Sequence, residues 1–352
     1  MKKFILISIG LLAGILFSDS ITYAQSCSKV FYNYRELNKI KSMRFMSLNA
    51  EDYFLKVKKH LKNIEQKPNE ALPISDTVEA MVDAIPELIK DTQPDLVILL
   101  EVNQVSMEYL ASAKLKNQWT HFLFEGNDQR QIGFLIKEDI PVDVETRTHR
   151  DMKWKNPSNN NQEEILFTRD FPALIFRRKN EKQPFMIALG AHGHSKASRK
   201  NDPNSASLKR AEMSAMEKII ISLKKEFGEN VPLILGGDFN ATIKPGSEVQ
   251  PLLNQLKEAF DIANVPFSRR ATSYFLGKEG RRVLRQVDAI MMSPSLAPFV
   301  KQAFVYPYKI NGRNGPLPMD TPPELINMIP SDHYPVVVDI STEIILPEAH
   351  GK

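Results

Sequence analysis

The chain has 352 residues, 42% of them apolar and 25% charged, an ordinary globular composition that excludes a disordered, collagen-like or multi-span membrane protein. A single cysteine, Cys27, excludes an internal disulfide, a zinc ribbon, an iron–sulfur site and paired-thiol redox chemistry, so any metal must sit on oxygen or imidazole. The formal charge of +4 is mild for this length and does not by itself argue for a nucleic-acid partner.

At the N-terminus, Lys2 and Lys3 precede the apolar run Phe4 to Phe17, and Thr22 and Ala24 place small side chains three and one residues before a cut ahead of Gln25. Residues 1–24 are therefore expected to be a signal peptide, followed by an N-terminal segment at 25–42, one domain at 43–342 and a tail at 343–352. A 14-residue apolar run falls short of the roughly 20 needed to cross a bilayer, so the mature chain is expected to be secreted or periplasmic with no transmembrane segment. A lipid anchor on Cys27 is disfavoured, because Gln25 stands where a lipobox needs a small residue. Loss of Lys2, Lys3 and Asp19 with the leader takes the charge from +4 to +3.

Beyond residue 40, short β-rich runs alternate with amphipathic stretches. Strands are expected at Arg44 to Leu48, Leu96 to Leu100, Ile132 to Ile136, Ala173 to Phe176, Met186 to Leu189, Leu233 to Leu235, Val287 to Met291 and Val336 to Ile340. Met213, Met216, Ile219, Ile220 and Leu223 at helical spacing, with Gly228 as a stop, predict a helix from Ser207 to Phe227. A second helix is expected over Thr77 to Lys90, with Pro86 kinking or splitting it. With no repeat and no Gly/Ser linker, this alternation favours a single two-sheet α/β domain.

Several strands end in polar residues of one chemical kind. Leu48 is followed by Asn49 and Glu51, Leu100 by Glu101, Leu189 by His192 and His194, and Leu235 by Asp238 and Asn240; Asp288 lies in its strand, and Ser331, Asp332 and His333 precede the last one. Singly, each has an ordinary explanation: Asp after Gly-Gly forms turns, Asn caps strands, and Glu after an apolar run meets water. His192 and His194 could share one face of a strand, but no third histidine stands nearby to make a zinc site. Together, on one rim of a sheet, these groups could converge in a cleft.

The runs Phe45 to Glu51, Pro94 to Val102, Gly236 to Asn240, Gln286 to Ile290 and Ser331 to His333 resemble, in order and spacing, the endonuclease/exonuclease/phosphatase superfamily. Thr168-Arg169 and Leu189 to His192 resemble the arginine and first-histidine segments of its deoxyribonuclease I-like, bacterial secreted members. The resemblance spans about residues 44 to 340 and implies a four-layer α/β/β/α sandwich of two mixed sheets flanked by helices. It also implies a Mg²⁺-dependent (or Mn²⁺-dependent) phosphodiesterase. Diester cleavage needs a deprotonated water, neutralised non-bridging oxygens and help for the leaving alkoxide, and a hard cation on carboxylate and amide oxygens suits that chemistry. By this resemblance Glu101 is the first metal ligand, with Asn49, Glu51 and Asp332 contributing. Asp238 activates or positions the water and Asn240 holds it. His333, oriented by Asp288, contacts the phosphate, with the first proton going to either Asp238 or His333. His192 supports the leaving group, and Arg169 binds a phosphate oxygen.

The same core serves several substrates. Asn240 is followed by Ala241, Thr242 and Ile243, without the arginine of the inositol-phosphatase branch. Trp119 and Trp154 are far apart in polar surroundings, which makes a sphingomyelinase, phospholipase C-like or small phosphate-ester hydrolase the second choice. Between Val265 and Gly315, nine Lys or Arg stand against Glu279 and Asp288, a local +7 that includes Arg281, Arg282 and Arg285 as phosphate-binding candidates. Lys196, Arg199, Lys200, Lys209 and Arg210 add a second basic cluster. A charge run is usually a solvated face, but basic residues bracketing a phosphodiester site favour nucleic acid as substrate, DNA before RNA, with little sequence preference. The Pro-rich stretch from Pro307 to Pro330 is expected to be a loop that sets specificity. No stable protein partner is implied. A catalytically inactive binding module is the alternative from another class, and the full set of polar residues argues against it.

Overall fold

The computed structural model describes residues 41–66, 77–138, 142–195, 202, 205–276, 282–308 and 329–342. The expected leader, Cys27, Lys196, Arg199, Lys200, Arg281, the tail and most of the stretch from Pro307 to Pro330 lie outside these, as does the side chain of Arg282.

In chain order, β1 (Ser42–Asn49), α1 (Tyr53–Gln66), α2 (Thr77–Thr92) and β2 (Leu96–Val102) come first, and α3 (Gln104–Glu108) leads to β3 (Trp119–Phe124) and β4 (Gln131–Lys137). Next are β5 (Asp143–Arg147), β6 (Lys153–Asn156), β7 (Gln162–Ile165), β8 (Ala173–Arg177), β9 (Pro184–His192), α4 (Ala206–Phe227) and β10 (Leu233–Asp238). Then follow α5 (Gln250–Gln255), β11 (Lys257–Glu258), α6 (Ala259–Ile262), β12 (Ser273–Leu276) and β13 (Arg282–Arg285). β14 (Asp288–Met292), β15 (Val300–Val305) and β16 (Val336–Ser341) complete the series.

Two six-stranded sheets result, ordered β15-β16-β1-β2-β4-β3 and β11-β14-β10-β9-β8-β5. Each has one parallel pair at its centre, β1 with β2 and β9 with β10, and antiparallel neighbours on both sides. Side chains alternate between faces along a strand. Phe45, Leu96, Ile98 and Leu100 of the first sheet therefore meet Ala188, Ile234 and Ile290 of the second in a central core. The intervening Met46, Val97 and Leu99 pack outward with Tyr53, Val57, Ile85 and Ile89 of α1 and α2. Ile187, Leu189, Leu233 and Leu235 likewise pack with Met213, Met216 and Ile220 of α4. Both faces of each sheet are buried, which is why the central strands read as continuous apolar runs rather than alternating ones. The four layers are those implied by the sequence.

Two features have local causes. Of the two expected outcomes at Pro86, the split does not occur: α2 is a single helix that runs through it. Pro86 cannot donate to the carbonyl four residues back, a defect that ordinarily costs about 3 kcal/mol. That carbonyl belongs to buried Val82, and the Tyr53 hydroxyl donates to it at 3.1 Å. The second feature is a close approach of the sheets. A Cβ on Gly190 would lie 2.8 Å from Ile132 Cγ2, and one on Gly236 would lie 2.7 Å from Ile98 Cδ1. Glycine at these two positions lets the sheets close together near the rim where the polar strand ends meet.

Candidate active site

The rim is built from corresponding strand ends of the two sheets. In the first, β1 ends on Asn49, paired with Leu100 next to Glu101. In the second, β9 ends on His192, in register with Asp238 at the end of β10. The antiparallel neighbours deliver the rest from their N-terminal ends: Asp288 starts β14 opposite Asp238, and His333 stands three residues before β16. Glu101 reaches the site through a bulge. Leu100 pairs with Ile132 and Val102 with Gln131, leaving Glu101 as the extra residue at φ 60°. Glu51, Asp52 and Asn240 also adopt left-handed backbone, at φ 45°, 51° and 48°. Such strain concentrates where a scaffold over-determines side-chain positions.

Asp238, 1% exposed, is the hub. Its Oδ2 accepts from Asn49 Nδ2 and Asn240 Nδ2, each at 3.1 Å, and its Oδ1 accepts from the Asn240 backbone N–H at 2.7 Å. His192 Nε2 lies 3.6 Å from Glu101 Oε1 and 3.9 Å from Asp238 Oδ2. His333 Nδ1 bonds Asp288 Oδ2 at 2.8 Å and turns Nε2 to within 3.9 Å of Asp238 Oδ2. The Thr272 hydroxyl accepts from the N–H groups of Val287 and Asp288, each at 3.0 Å. Ser331 ties the two parts of the first sheet together: its hydroxyl donates to Asn49 O at 2.7 Å and accepts from His333 N–H at 3.0 Å.

No family model matches the chain, and no curated protein does. Among solved structures, truncated Caenorhabditis elegans TDP2 superposes with a TM-score of 0.56 at 14% identity, covering 85% of this chain and 98% of that one. The endonuclease/exonuclease/phosphatase from Bacteroides vulgatus gives 0.53 at 17% identity over 86% and 99% of the two chains. TDP2 from D. rerio in complex with a single-strand DNA product gives 0.51 at 13% over 86% and 99%. The fold is that of the endonuclease/exonuclease/phosphatase proteins.

On this fold, Asn49, Glu101, His192, Asp238, Asn240, Asp288 and His333 form one cluster. Glu51 and Asp332 stand at its margin. The half-exposed Glu51 carboxylate pairs with Lys56 at 3.4 Å, and Asp332 Oδ1 lies 3.7 Å from His333 Nε2. Arg169 is buried, with Nε 3.1 Å from Asp128 Oδ2 and one terminal nitrogen 3.5 Å from Gly193 O. Arg285 adjoins the cluster through its carbonyl, which accepts from Thr272 N–H at 2.9 Å. Among the described residues, three members of the two charge runs lie apart. Lys209 is buried and donates to Asn240 O at 2.8 Å, Arg270 pairs with Asp261, and Lys301 lies at the far end of the first sheet near Lys41.

Sequence reasoning missed Arg130. Its Nε donates to Asp52 Oδ1 at 2.8 Å and to Glu101 Oε2 at 3.2 Å, and a terminal nitrogen donates to Asp52 Oδ2 at 3.1 Å. Asp128 accepts from Arg130 N–H at 2.8 Å and also faces Arg169. The segment Asn127 to Arg130 is a short polar link between β4 and the preceding strand, and nothing in its local pattern separates it from an ordinary turn.

Burial is the main electrostatic force in the cluster. It raises the Asp238 carboxyl above the ordinary range against the opposing pull of His333, and it raises Glu101 against the opposing hydrogen bond from the Asp52 N–H. Burial and the Arg169 guanidinium hold His192 well below its ordinary value, so that it is neutral at pH 7. For His333 burial disfavours the charge, but the carboxylates of Asp288 and Asp238 outweigh it and hold the imidazolium well above its usual value.

A hard divalent cation would find carboxylate oxygens at Glu101, whose Oε2 already accepts from Asp52 N–H at 2.8 Å and from Arg130 Nε at 3.2 Å. Asn49 enters as a donor, because its amide NH₂ faces Glu101 at 3.4 Å and Asp238 while its oxygen accepts from Glu51 N–H. Asp238, Asp288 and His333 also bring ligand atoms within 4.8 Å of one another, but the His333 and Asp288 atoms of that group are already hydrogen-bonded to each other. Among the described residues no helix is long and apolar enough to cross a membrane.

Proposed function

We propose that the protein is a divalent-cation-dependent phosphodiesterase that hydrolyses nucleic acid, DNA in preference to RNA and with little sequence preference. The observation that carries this reading is the convergence of a neutral imidazole, a charged imidazole and a buried carboxylate around one point on a fold shared with a TDP2 bound to a DNA product.

Asp238 holds the attacking water and takes its proton. Its raised basicity suits that task, and Asn49 and Asn240 fix its orientation. His333, held by Asp288, presents a charged N–H to the phosphoryl oxygens as negative charge develops. His192 offers Nε2 on the Glu101 side and supports the leaving alkoxide. A cation bound at Glu101, Mg²⁺ or Mn²⁺, would supply positive charge for the non-bridging oxygens. Residues 1–24 act as a leader that exports the enzyme, which N-terminal sequencing of the mature protein checks.

The test is turnover of DNA, RNA, sphingomyelin and a small chromogenic diester, each with Mg²⁺ and with chelator. DNA turnover is expected to exceed the others and to vanish in chelator. Asp238→Asn and His333→Ala are each expected to lower kcat by at least about 10²-fold with little change in KM. Full activity in chelator, or near wild-type rates in either variant, overturns the mechanism; faster turnover of sphingomyelin or the small ester overturns the substrate.

A further inference from the structure

Helix α4 carries two buried ionisable side chains to which the chemistry above gives no part. Lys209, in its first turn, and Glu212, three residues on, are each 1% exposed and are neighbours on one face of the helix. Burying such a side chain is costly unless it is hydrogen-bonded, and a basic residue in the first turn opposes the helix dipole. The docking of α4 is supplied by other residues. Leu208, Met213, Met216, Ile219, Ile220 and Leu223 pack it into the core of the second sheet, and Asp202 accepts from the N–H groups of Ser207 and Leu208 at its start, at 3.0 and 3.3 Å.

The polar ends of Lys209 and Glu212 reach the two loops that carry the catalytic groups of that sheet. Lys209 Nζ donates to Asn240 O at 2.8 Å, and Glu212 Oε2 accepts from His194 N–H at 2.9 Å. These loops, 192–194 after β9 and 238–240 after β10, also hold each other. Gly193 N–H donates to Asp238 O at 2.8 Å, and Asn240 Nδ2 donates to Gly193 O at 3.1 Å. They meet so closely that a Cβ on Gly193 would lie 2.6 Å from Phe239 O. The same Asn240 Nδ2 joins Asn49 Nδ2 on Asp238 Oδ2. Asn240 stands at φ 48°, a left-handed conformation that persists where surrounding groups over-determine it. Those groups are Asp238 on its N–H, Gly193 and Asp238 on its amide, and Lys209 on its carbonyl.

We propose that Lys209 and Glu212 are positioning residues for phosphodiester hydrolysis. Lys209 fixes the Asn240 carbonyl, and Glu212 fixes the 193–194 backbone that receives the Asn240 amide. Together they set the direction in which the Asp238 carboxylate faces the attacking water. The inference rests on the phosphodiesterase reading above. Both side chains are too buried to meet the substrate, so their effect belongs in kcat; a misplacement of about 1 Å can cost about 10²-fold in rate.

The test uses the full chain with Mg²⁺ and the small chromogenic diester, well below the Tm of each variant, together with amide hydrogen exchange. Lys209→Met keeps the aliphatic stem and removes the donor, and Glu212→Leu removes the acceptor. Each is expected to lower kcat at least about tenfold while KM changes less than about twofold. Glu212→Gln keeps an oxygen for His194 N–H and should recover most of the loss. Asn240→Gly accepts the left-handed backbone and removes the shared amide. In that background Lys209→Met and Glu212→Leu should cost little more, because both act through Asn240. Exchange should quicken at the Gly193 and Asn240 N–H groups and stay unchanged from Met213 to Leu223 of α4.

A lower Tm with wild-type kcat and unchanged loop exchange makes the two residues structural and overturns the proposal. So does a loss that appears in KM, or full additivity with Asn240→Gly. A wild-type protein that hydrolyses no phosphodiester overturns the phosphodiesterase reading instead, and exchange at Gly193 and Asn240 then decides whether Lys209 and Glu212 hold the loops.

Discussion

Arg130 bridges Glu101 to Asp52 while 42% of its own side chain faces solvent. A guanidinium in that place stabilises two neighbouring carboxylates and competes with any cation for the same oxygens. Arg130→Gln is therefore expected to lower the Tm of the protein in chelator, by the equivalent of up to about 1 kcal/mol for a half-exposed pair, and to tighten Mn²⁺ binding measured by calorimetry. Weaker Mn²⁺ binding in the variant would instead make Arg130 the group that positions Glu101. Glu258 gives a pH prediction. Burial raises its carboxyl to about 7 from an ordinary 4.5. The folded state then holds a proton that the unfolded state releases, so the contribution to stability is fully present below the ordinary value and is lost as pH rises through about 7. Melting curves between pH 5 and 8 should show this loss in the wild type and a flatter profile in Glu258→Gln; parallel profiles would contradict it.

At the scale of elements, the site depends on how closely the two sheets approach. Asn49 and Glu101 belong to one sheet, His192 and Asp238 to the other, and Gly236 faces Ile98 and Ser47 across the gap. Gly236→Val is expected to destabilise by about 1–3 kcal/mol through overpacking. It should also lower kcat more than it raises KM, since it separates groups that act together; denaturant melts and steady-state kinetics check both. The same packing explains which strands could be read in advance. The eight expected strands are β1, β2, β4, β8, β9, β10, β14 and β16, the four inner strands of each sheet. Those missed in the sheets, β3, β5, β11 and β15, are the four edges. Inner strands are apolar on both faces and announce themselves as runs; edge strands carry residues such as Asp143, Glu145, Lys257 and Lys301, whose charge protects an open edge and hides the strand.

For the whole molecule, the distribution of charge bears on the proposed nucleic-acid substrate. Several basic residues that look available in the sequence are committed inside the fold: Lys209 to Asn240, Arg169 to Asp128 and Arg270 to Asp261. The segment that includes Arg281, Arg282 and Arg285 immediately precedes Asp288 in the chain. Replacing these three by Ala is expected to raise KM for long DNA and to flatten its salt dependence between about 50 and 200 mM, with no effect on a small chromogenic diester. An unchanged salt slope would place the binding of the strand elsewhere.

The sequence by itself determined the central quartet of each sheet and the polar residues of the cluster, because each follows from local pattern: an apolar run needs two buried faces, and a polar residue at its end lies on the rim; the layer order came from the family resemblance. It did not determine that α2 would run unbroken, since the Tyr53 hydroxyl that serves the Val82 carbonyl lies 29 residues away. Nor did it show Arg130, 78 residues from Asp52, or the buried Lys209, 31 residues from Asn240. The tertiary structure decided these because ion pairing, burial and hydrogen-bond satisfaction depend on which distant residues arrive at the same place, and no local pattern of residue types records that.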